Sequence, residues 1–318
     1  MGVPHSHPVT PADVLTARER ISGLVRHTPV WRTSLDTADG PVEVVFKLEY
    51  TQLGGCFKAR GSVNAVIAAR SVGRLTDAGV LVASGGNAAI GAAWAARIAD
   101  TGCSVVVPES APAVKVAALR SLGATVHLIG SRYQDAADAA AEMAAASGAL
   151  LLHAYDLPEI VAGAGTIGLE LAEQVHGPLT TVVCVGGGGL LGGMSATLRT
   201  GDHLVGAEPE SASCLHAALA AGHPVPVDPA GVAADSLGAT RVGAICWASI
   251  ADRPVTSVLV SDEEIVAARA MLWERFRIVV EHGTATAVAA VSTGRVRPEP
   301  GTTLAIVLCG ANTRLDDL

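Results

Sequence analysis

Three stretches of this chain pair chemically active residues with glycines that let a ligand come close. The first is Gly54-Gly55-Cys56-Phe57-Lys58-Ala59-Arg60-Gly61. Lysine is scarce, occurring only at Lys47, Lys58 and Lys115 among 22 basic residues. A lysine set between glycines therefore suggests a task arginine cannot do, which is to lose its proton when buried and attack as an amine. The second stretch is the apolar run Val182 to Val185 followed by Gly186-Gly187-Gly188-Gly189 and Leu190. Four glycines after a strand leave backbone N–H groups bare, in a form that can wrap a phosphate. The third is Ser84-Gly85-Gly86-Asn87, whose N–H groups at a helix start suit a carboxylate and whose Asn amide suits a phenolate oxygen. A nucleophilic amine with a phosphate cup is what pyridoxal phosphate requires.

Each feature also has an ordinary explanation. Lys58 alone reads as a surface lysine, and Ser84–Asn87 as turn chemistry. Cys309, closing the last apolar run, reads alone as a buried, inert thiol. The flanks of Lys58 change the balance, because glycines admit a ligand and Phe57 supplies an apolar wall.

The elements around these stretches alternate. Residues 11–23 pattern as a capped helix, 42–48 as a strand that leads into the Lys58 loop, and 62–70 as a helix. From Gly79 the order is strand 80–83, helix 88–99, strand 104–107, helix 112–122, strand 124–129, helix 134–146 and strand 150–153. It resumes with helix 165–175, strand 181–185, helix 190–199, strand 203–207 and helix 212–221. Residues 222–254, rich in Gly and Pro, are expected to be irregular and to wrap over the site. Ser261-Asp262-Glu263-Glu264 is a capping box for a helix to about Arg277, followed by helix 281–291 and strand 304–308. Such alternation implies parallel strands with crossover helices, an α/β fold whose ligands sit at the carboxyl ends of strands. Two α/β lobes with the site between them fit best.

Bulk properties narrow the class. With 318 residues, half of them apolar and only 3% aromatic, the core must be built from Ala, Val, Leu and Ile. A net charge of −8 without any Lys/Arg-rich run argues against nucleic acid. The six cysteines are scattered singly, which reads as reduced thiols in a cytoplasmic protein. The polar start, Met1 to Asp13, lacks a secretory signal, and Met1-Gly2 with Ser6 fits a myristoylation pattern only by chance. No apolar run spans a membrane. The ten histidines show no metal-ligand spacing.

A nucleotide reading competes. Gly187, Gly189 and Gly192 spell GxGxxG after a strand, and Glu208 ends the next strand at the spacing of a dinucleotide fingerprint. Gly163, Gly165 and Gly168 spell it again, without a convincing strand before them. A nicotinamide site accounts for neither Lys58, nor Asn87, nor Cys309.

Taken together, the stretches resemble the serine/threonine dehydratase family of fold-type II pyridoxal-phosphate enzymes, which includes serine racemases. The resemblance runs through Lys47-Leu48-Glu49 to Gly61, Ser84–Asn87, Gly163 to Glu170 and Gly186–Gly193. It continues in Gly206-Ala207-Glu208-Pro209, Val260 to Glu264, Trp273-Glu274-Arg275 and Cys309-Gly310-Ala311-Asn312. It implies a tryptophan-synthase-β-like fold, with residues 1–54 and 150–318 as a cofactor lobe and 55–149 as a smaller mobile lobe. It further implies that Lys58 holds the cofactor through its amine and later moves the α-proton. Phe57 would pack beside the ring, Asn87 would meet its 3′-oxygen, Gly186 to Leu190 would cup the phosphate, and Cys309 would meet the pyridine nitrogen. Cys56, Ser84, Gly85, Gly86 and Asn87 would contact the substrate, with Ser84 to Asn87 holding its carboxylate. The implied reaction is elimination from a β-hydroxy amino acid such as L-threonine or L-serine, giving a 2-oxo acid and ammonia in a homodimeric enzyme.

Some positions depart from the family pattern. Gly54 and Cys56 replace a usual threonine and serine, which is expected to widen the substrate pocket. Gly85 stands where racemases carry a serine serving the opposite face of the substrate, so racemisation is not expected. At the family's cation site, Glu208 and the Ala212 carbonyl are present but Cys214 replaces an aspartate, so no metal is expected. The chain stops at Leu318, so a separate regulatory domain is not expected either. A β-replacement synthase, a nicotinamide-binding oxidoreductase and a non-catalytic binding module remain the alternatives.

Overall fold

A computed structural model describes residues 7–314; the expectations about Met1 to Ser6 and about Leu318 lie outside the described residues. In chain order the strands are β1 (Val30–Thr37), β2 (Gly40–Lys47), β3 (Val80–Ala83), β4 (Cys103–Val107) and β5 (Thr125–Leu128). They continue with β6 (Leu150–Leu152), β7 (Leu179–Cys184), β8 (His203–Pro209), β9 (Val255–Val260) and β10 (Thr303–Val307). They form two sheets, one ordered β1-β2-β10-β7-β8-β9 and one ordered β5-β4-β3-β6. Every pairing is parallel except that of β1 with β2. The α/β expectation therefore holds, with one antiparallel hairpin at the edge of the larger sheet.

That hairpin corrects the sequence reading, which missed β1. Arg32, Ser34 and Asp36 interrupt its apolar pattern, because only Leu35 on β1 is fully buried. Trp31 instead joins Phe46 and Phe276 in a trio of edge-to-face rings with centroids 5.3 to 6.2 Å apart. Burying Phe46 there contributes about 2 kcal/mol, and the trio ties the hairpin to the helix Asp262–Phe276. The strand β9 was also missed, and residues 222–254 are not wholly irregular: they hold short helices at Ala234–Leu237 and Ala244–Ile250.

A division at residue 149 separates β6 from the sheet it belongs to. Leu150, Leu151 and Leu152 pair with Val80, Leu81 and Val82, so this strand lies on the smaller side.

Helix Pro158–Gln174 starts seven residues earlier than its pattern suggested and contains Gly163, Gly165 and Gly168. A Cβ on Gly163 would lie 2.6 Å from the Cα of Gly61, and one on Gly165 would lie 2.5 Å from the carbonyl of Gly193. These glycines let this helix touch the backbones of helices Lys58–Ser71 and Gly189–Ser195. The second GxGxxG is thus a packing seam that fixes the Lys58 helix against the tetraglycine loop.

Candidate active site

Lys58 begins its helix directly after a loop with two left-handed glycines, Gly54 (φ +69°) and Gly55 (φ +71°). Beneath the helix lies a buried charge network. Arg60 donates to Glu49 (Nε–Oε2 2.8 Å) and to Glu170 (Nη1–Oε1 2.6 Å), while Lys47 donates to Glu170 (2.5 Å). Two cations and two carboxylates are balanced and fully hydrogen-bonded, the condition under which buried charges are tolerated. They lock the start of the helix, and with it the direction of Lys58.

Lys58 itself faces a cavity of about 440 Å³. Its amine donates to the Ala154 carbonyl at 2.9 Å and lies 5.1 Å from the centroid of the Phe57 ring. Burial lowers its pKa, opposed by the nearby Cys56, Cys309, Cys184 and Glu281. The amine is thereby moved toward its nucleophilic form.

Phe57 and Ser84 to Asn87 line the same cavity, as do Gly186 to Leu190 and Cys309. The tetraglycine loop cannot carry side chains. A Cβ on Gly187 would meet the Tyr155 ring at 2.4 Å, and one on Gly188 (φ +85°) would meet Cys246 Sγ at 2.4 Å. The amides of Gly187, Gly188, Gly189 and Leu190 have no hydrogen-bond acceptor within the described residues. Bare N–H groups in a loop walled by Tyr155 and Cys246 form a cradle of the kind that holds a phosphate. The amides of Asn87 and Ala88, opening helix Asn87–Ile98, are likewise without an acceptor among the described residues, which suits a carboxylate.

At the cavity floor Cys309 Sγ lies 3.2 Å from Cys184 Sγ and 3.1 Å from the Thr284 hydroxyl. A thiol is a weak, neutral partner for a pyridine nitrogen. Pyridoxal phosphate fits this donor set: an amine, a bare amide loop, an Asn amide and a thiol enclose one cavity large enough for the cofactor.

Two expectations change. Cys56 is buried away from the cavity, its thiol directed at the Asn87 carbonyl at 3.9 Å. A Cβ on Gly54 would collide with Ile90 at 2.6 Å and Trp94 at 2.9 Å. Ile90 and Trp94 already fill the space beside Gly54, and Cys56 does not line the cavity, so neither widens the pocket. Sequence reading passed over Glu281, Tyr155 and Lys115, all of which line the cavity. Glu281 looked like an ordinary helix start, and no local pattern marks the other two.

The nucleotide reading fails at Glu208. Its carboxylate accepts from the amides of Leu215 (2.7 Å) and His216 (2.8 Å) and from Ser257 (3.2 Å), capping helix Cys214–Ala221. Burial pushes its pKa up to about 7. No oxygen is left facing a ribose. Cys214 donates its thiol proton to the Gly186 carbonyl at 3.0 Å, bracing the tetraglycine loop. Among the described residues no group of three or more His, Cys, Asp or Glu is placed to hold a metal, and no helix is long and apolar enough to cross a membrane.

Comparison with known proteins agrees with this chemistry. The pyridoxal-phosphate dependent enzyme family matches residues 21–310. An L-threonine ammonia-lyase of Geobacter sulfurreducens is 34% identical over 93% of this chain and 74% of its own. A beta-hydroxyaspartate dehydratase of Paracoccus denitrificans is 33% identical over 96% of this chain and 97% of its own. The serine racemase structure from Dictyostelium discoideum superposes with a TM-score of 0.87 at 30% identity, covering 96% of this chain and 99% of that one. The fold and cavity define a fold-type II enzyme. The chain belongs to the pyridoxal-phosphate dependent enzyme family, and its cofactor is pyridoxal phosphate.

Proposed function

We propose that this chain catalyses β-elimination from a β-hydroxy amino acid, yielding a 2-oxo acid and ammonia. The observation that carries this reading is the Lys58 amine sharing one cavity with the bare loop amides, Asn87 and the Cys309 thiol. Relatives named L-threonine ammonia-lyase and beta-hydroxyaspartate dehydratase support it.

Bound pyridoxal phosphate supplies an electron sink that acidifies the proton on the α-carbon. Lys58 would hold the cofactor through its amine and would take that proton when free; its lowered pKa keeps a larger share of the amine neutral. It then returns a proton to the departing hydroxyl. The amides opening helix Asn87–Ile98, with Ser84, Gly85 and Gly86, hold the substrate carboxylate and so orient the α C–H bond. Asn87 would donate to the phenolic oxygen, Phe57 would pack beside the ring, and Gly186 to Leu190 would cup the phosphate. Cys309 would offer the ring nitrogen a thiol, not a carboxylate that would keep it protonated, which would favour elimination over transamination. Gly85 places no hydroxyl on the opposite face, so racemisation has no second base.

The same reading takes 55–149, with β6 added, as a lobe that closes on the rest. Lys115, in helix Ala113–Ser121, pairs with Asp235 across the cavity. It further takes the chain as a homodimer, with the family resemblance as the basis and sedimentation analysis as the test.

The decisive experiment is the visible spectrum of the purified protein, followed by addition of L-threonine, L-serine and a bulkier β-hydroxy amino acid. A cofactor band that shifts with one of them, with stoichiometric 2-oxo acid and ammonia, is the expected result. Product that forms only when a thiol is added would make the enzyme a β-replacement synthase instead.

A further inference from the structure

Glu281 is a carboxylate with no use in its own helix. It occupies the N-cap position of helix His282–Ser292 and makes no side-chain cap hydrogen bond there. It is buried, 7% exposed, and lines the cavity. A Cβ on Gly310 would lie 2.3 Å from Glu281 Oε1, so the glycine after Cys309 makes room for this carboxylate. Its hydrogen bonds within the described residues come from one group, Asn87 Nδ2, at 2.7 Å to Oε1 and 3.0 Å to Oε2.

The other end of the Asn87 amide is also engaged. Asn312 Nδ2 donates to the Gly54 carbonyl at 2.8 Å and to Asn87 Oδ1 at 2.7 Å. A backbone carbonyl can only accept, so Asn312 must present its NH2 group at that side. Asn87 Oδ1 must then accept, and its NH2 must point toward Glu281. An ionised carboxylate, which has no proton to donate, fixes the same orientation from the opposite end. The relay Gly54–Asn312–Asn87–Glu281 therefore determines an amide orientation that rotation by 180° would otherwise leave open.

We infer that Glu281 is a positioning residue for the cofactor: by accepting from Asn87 it holds the amide with an N–H presented to the phenolic oxygen of pyridoxal phosphate. The inference rests on the placement of Asn87 proposed above. Lys58, Cys56 and Cys184 lie near the carboxylate from the floor and helix side, and Lys115 and Asp235 from the mouth. Burial pushes the Glu281 pKa up to about 7, against the Asn87 hydrogen bonds that lower it.

The test reads the cofactor without substrate, so it stands whether or not the protein is a dehydratase. Apo protein of the wild type, Glu281→Gln, Asn87→Ala and the double variant is titrated with pyridoxal phosphate, following the visible band and its pH dependence; melting curves check folding. Glutamine keeps the shape but adds a donor that opposes the Asn87 N–H groups. Glu281→Gln is expected to weaken cofactor binding roughly tenfold, the equivalent of one hydrogen bond, and to shift the band in the same direction as Asn87→Ala. In the Asn87→Ala background it is expected to change nothing further. An unchanged band and affinity, an effect larger than that of Asn87→Ala, or an effect that persists in the double variant would overturn the inference.

Discussion

Lys47 and Lys58 lie eleven residues apart, and burial lowers the pKa of both. Their surroundings differ. Lys47 Nζ donates to the Thr28 carbonyl (2.7 Å), Glu170 (2.5 Å) and Gln174 (2.9 Å), which satisfies all three N–H groups of an ammonium. Lys58 donates to one carbonyl and otherwise faces the cavity. The first arrangement needs the charged form and serves as part of a frame. The second leaves a lone pair available once the proton is lost, and suits the proposed reagent. Cavity residues should therefore alter chemistry with little loss of stability, and frame residues should do the reverse.

The sharpest test removes the reagent. Lys58→Ala is expected to abolish the cofactor's visible band and all turnover while its melting temperature stays near that of the apo wild type. Turnover that survives would break the assignment.

Removing the frame should cost stability first. Arg60→Met deletes the guanidinium that bridges Glu49 and Glu170 and leaves two buried carboxylates short of partners. A broken buried network costs about 3–5 kcal/mol, measurable in urea denaturation. A loss below about 1 kcal/mol would mean that water or Lys47 takes over its role, and the contrast between the two lysines would weaken.

Cys309→Asp probes the cavity floor. A carboxylate would hold the ring nitrogen protonated, and transamination should appear beside elimination, seen as loss of the visible band during turnover. An unchanged product profile would remove the thiol from the account of reaction choice. A smaller effect is expected at the mouth. Lys115→Met removes the half-exposed pair with Asp235, a class of contact worth little in solvent. KM should rise about two- to fivefold with kcat nearly unchanged, as expected when exposed ion pairs contribute up to about 1 kcal/mol.

What the sequence made legible follows the same division. Features with local signatures could be read: alternating strands and helices, the Ser261–Glu264 capping box, the tetraglycine loop, and Lys58 between glycines. Features made by distant contacts could not. β1 carries polar residues because a hairpin edge buries little more than Leu35, so its pattern was unrecognisable. Gly163 and Gly165 carried a motif whose meaning, a helix seam, depends on Gly61 and Gly193. Glu281 gains its role only because the chain returns at Asn312 to fix Asn87, a meeting of positions 194 and 225 residues apart from Asn87. Even the expected widening at Gly54 failed for this reason, since Ile90 and Trp94 come from another helix to fill the gap.

Gly85 offers the finest adjustment of the cavity. A Cβ there would meet only Val107 Cγ1, at an ordinary contact distance of 3.5 Å, and Gly85 has no positive φ to penalise a side chain. Gly85→Ser should therefore fold normally and keep the cofactor band. By the family resemblance the added hydroxyl would stand where racemases carry a serine, serving the face of the substrate opposite Lys58. A trace of the D-amino acid, detected by chiral chromatography after incubation with an L-substrate, is the expected outcome. Its absence, with elimination intact, would show that a hydroxyl in this position is not a sufficient second base, and that the single-faced chemistry of the cavity is set by more than one missing oxygen.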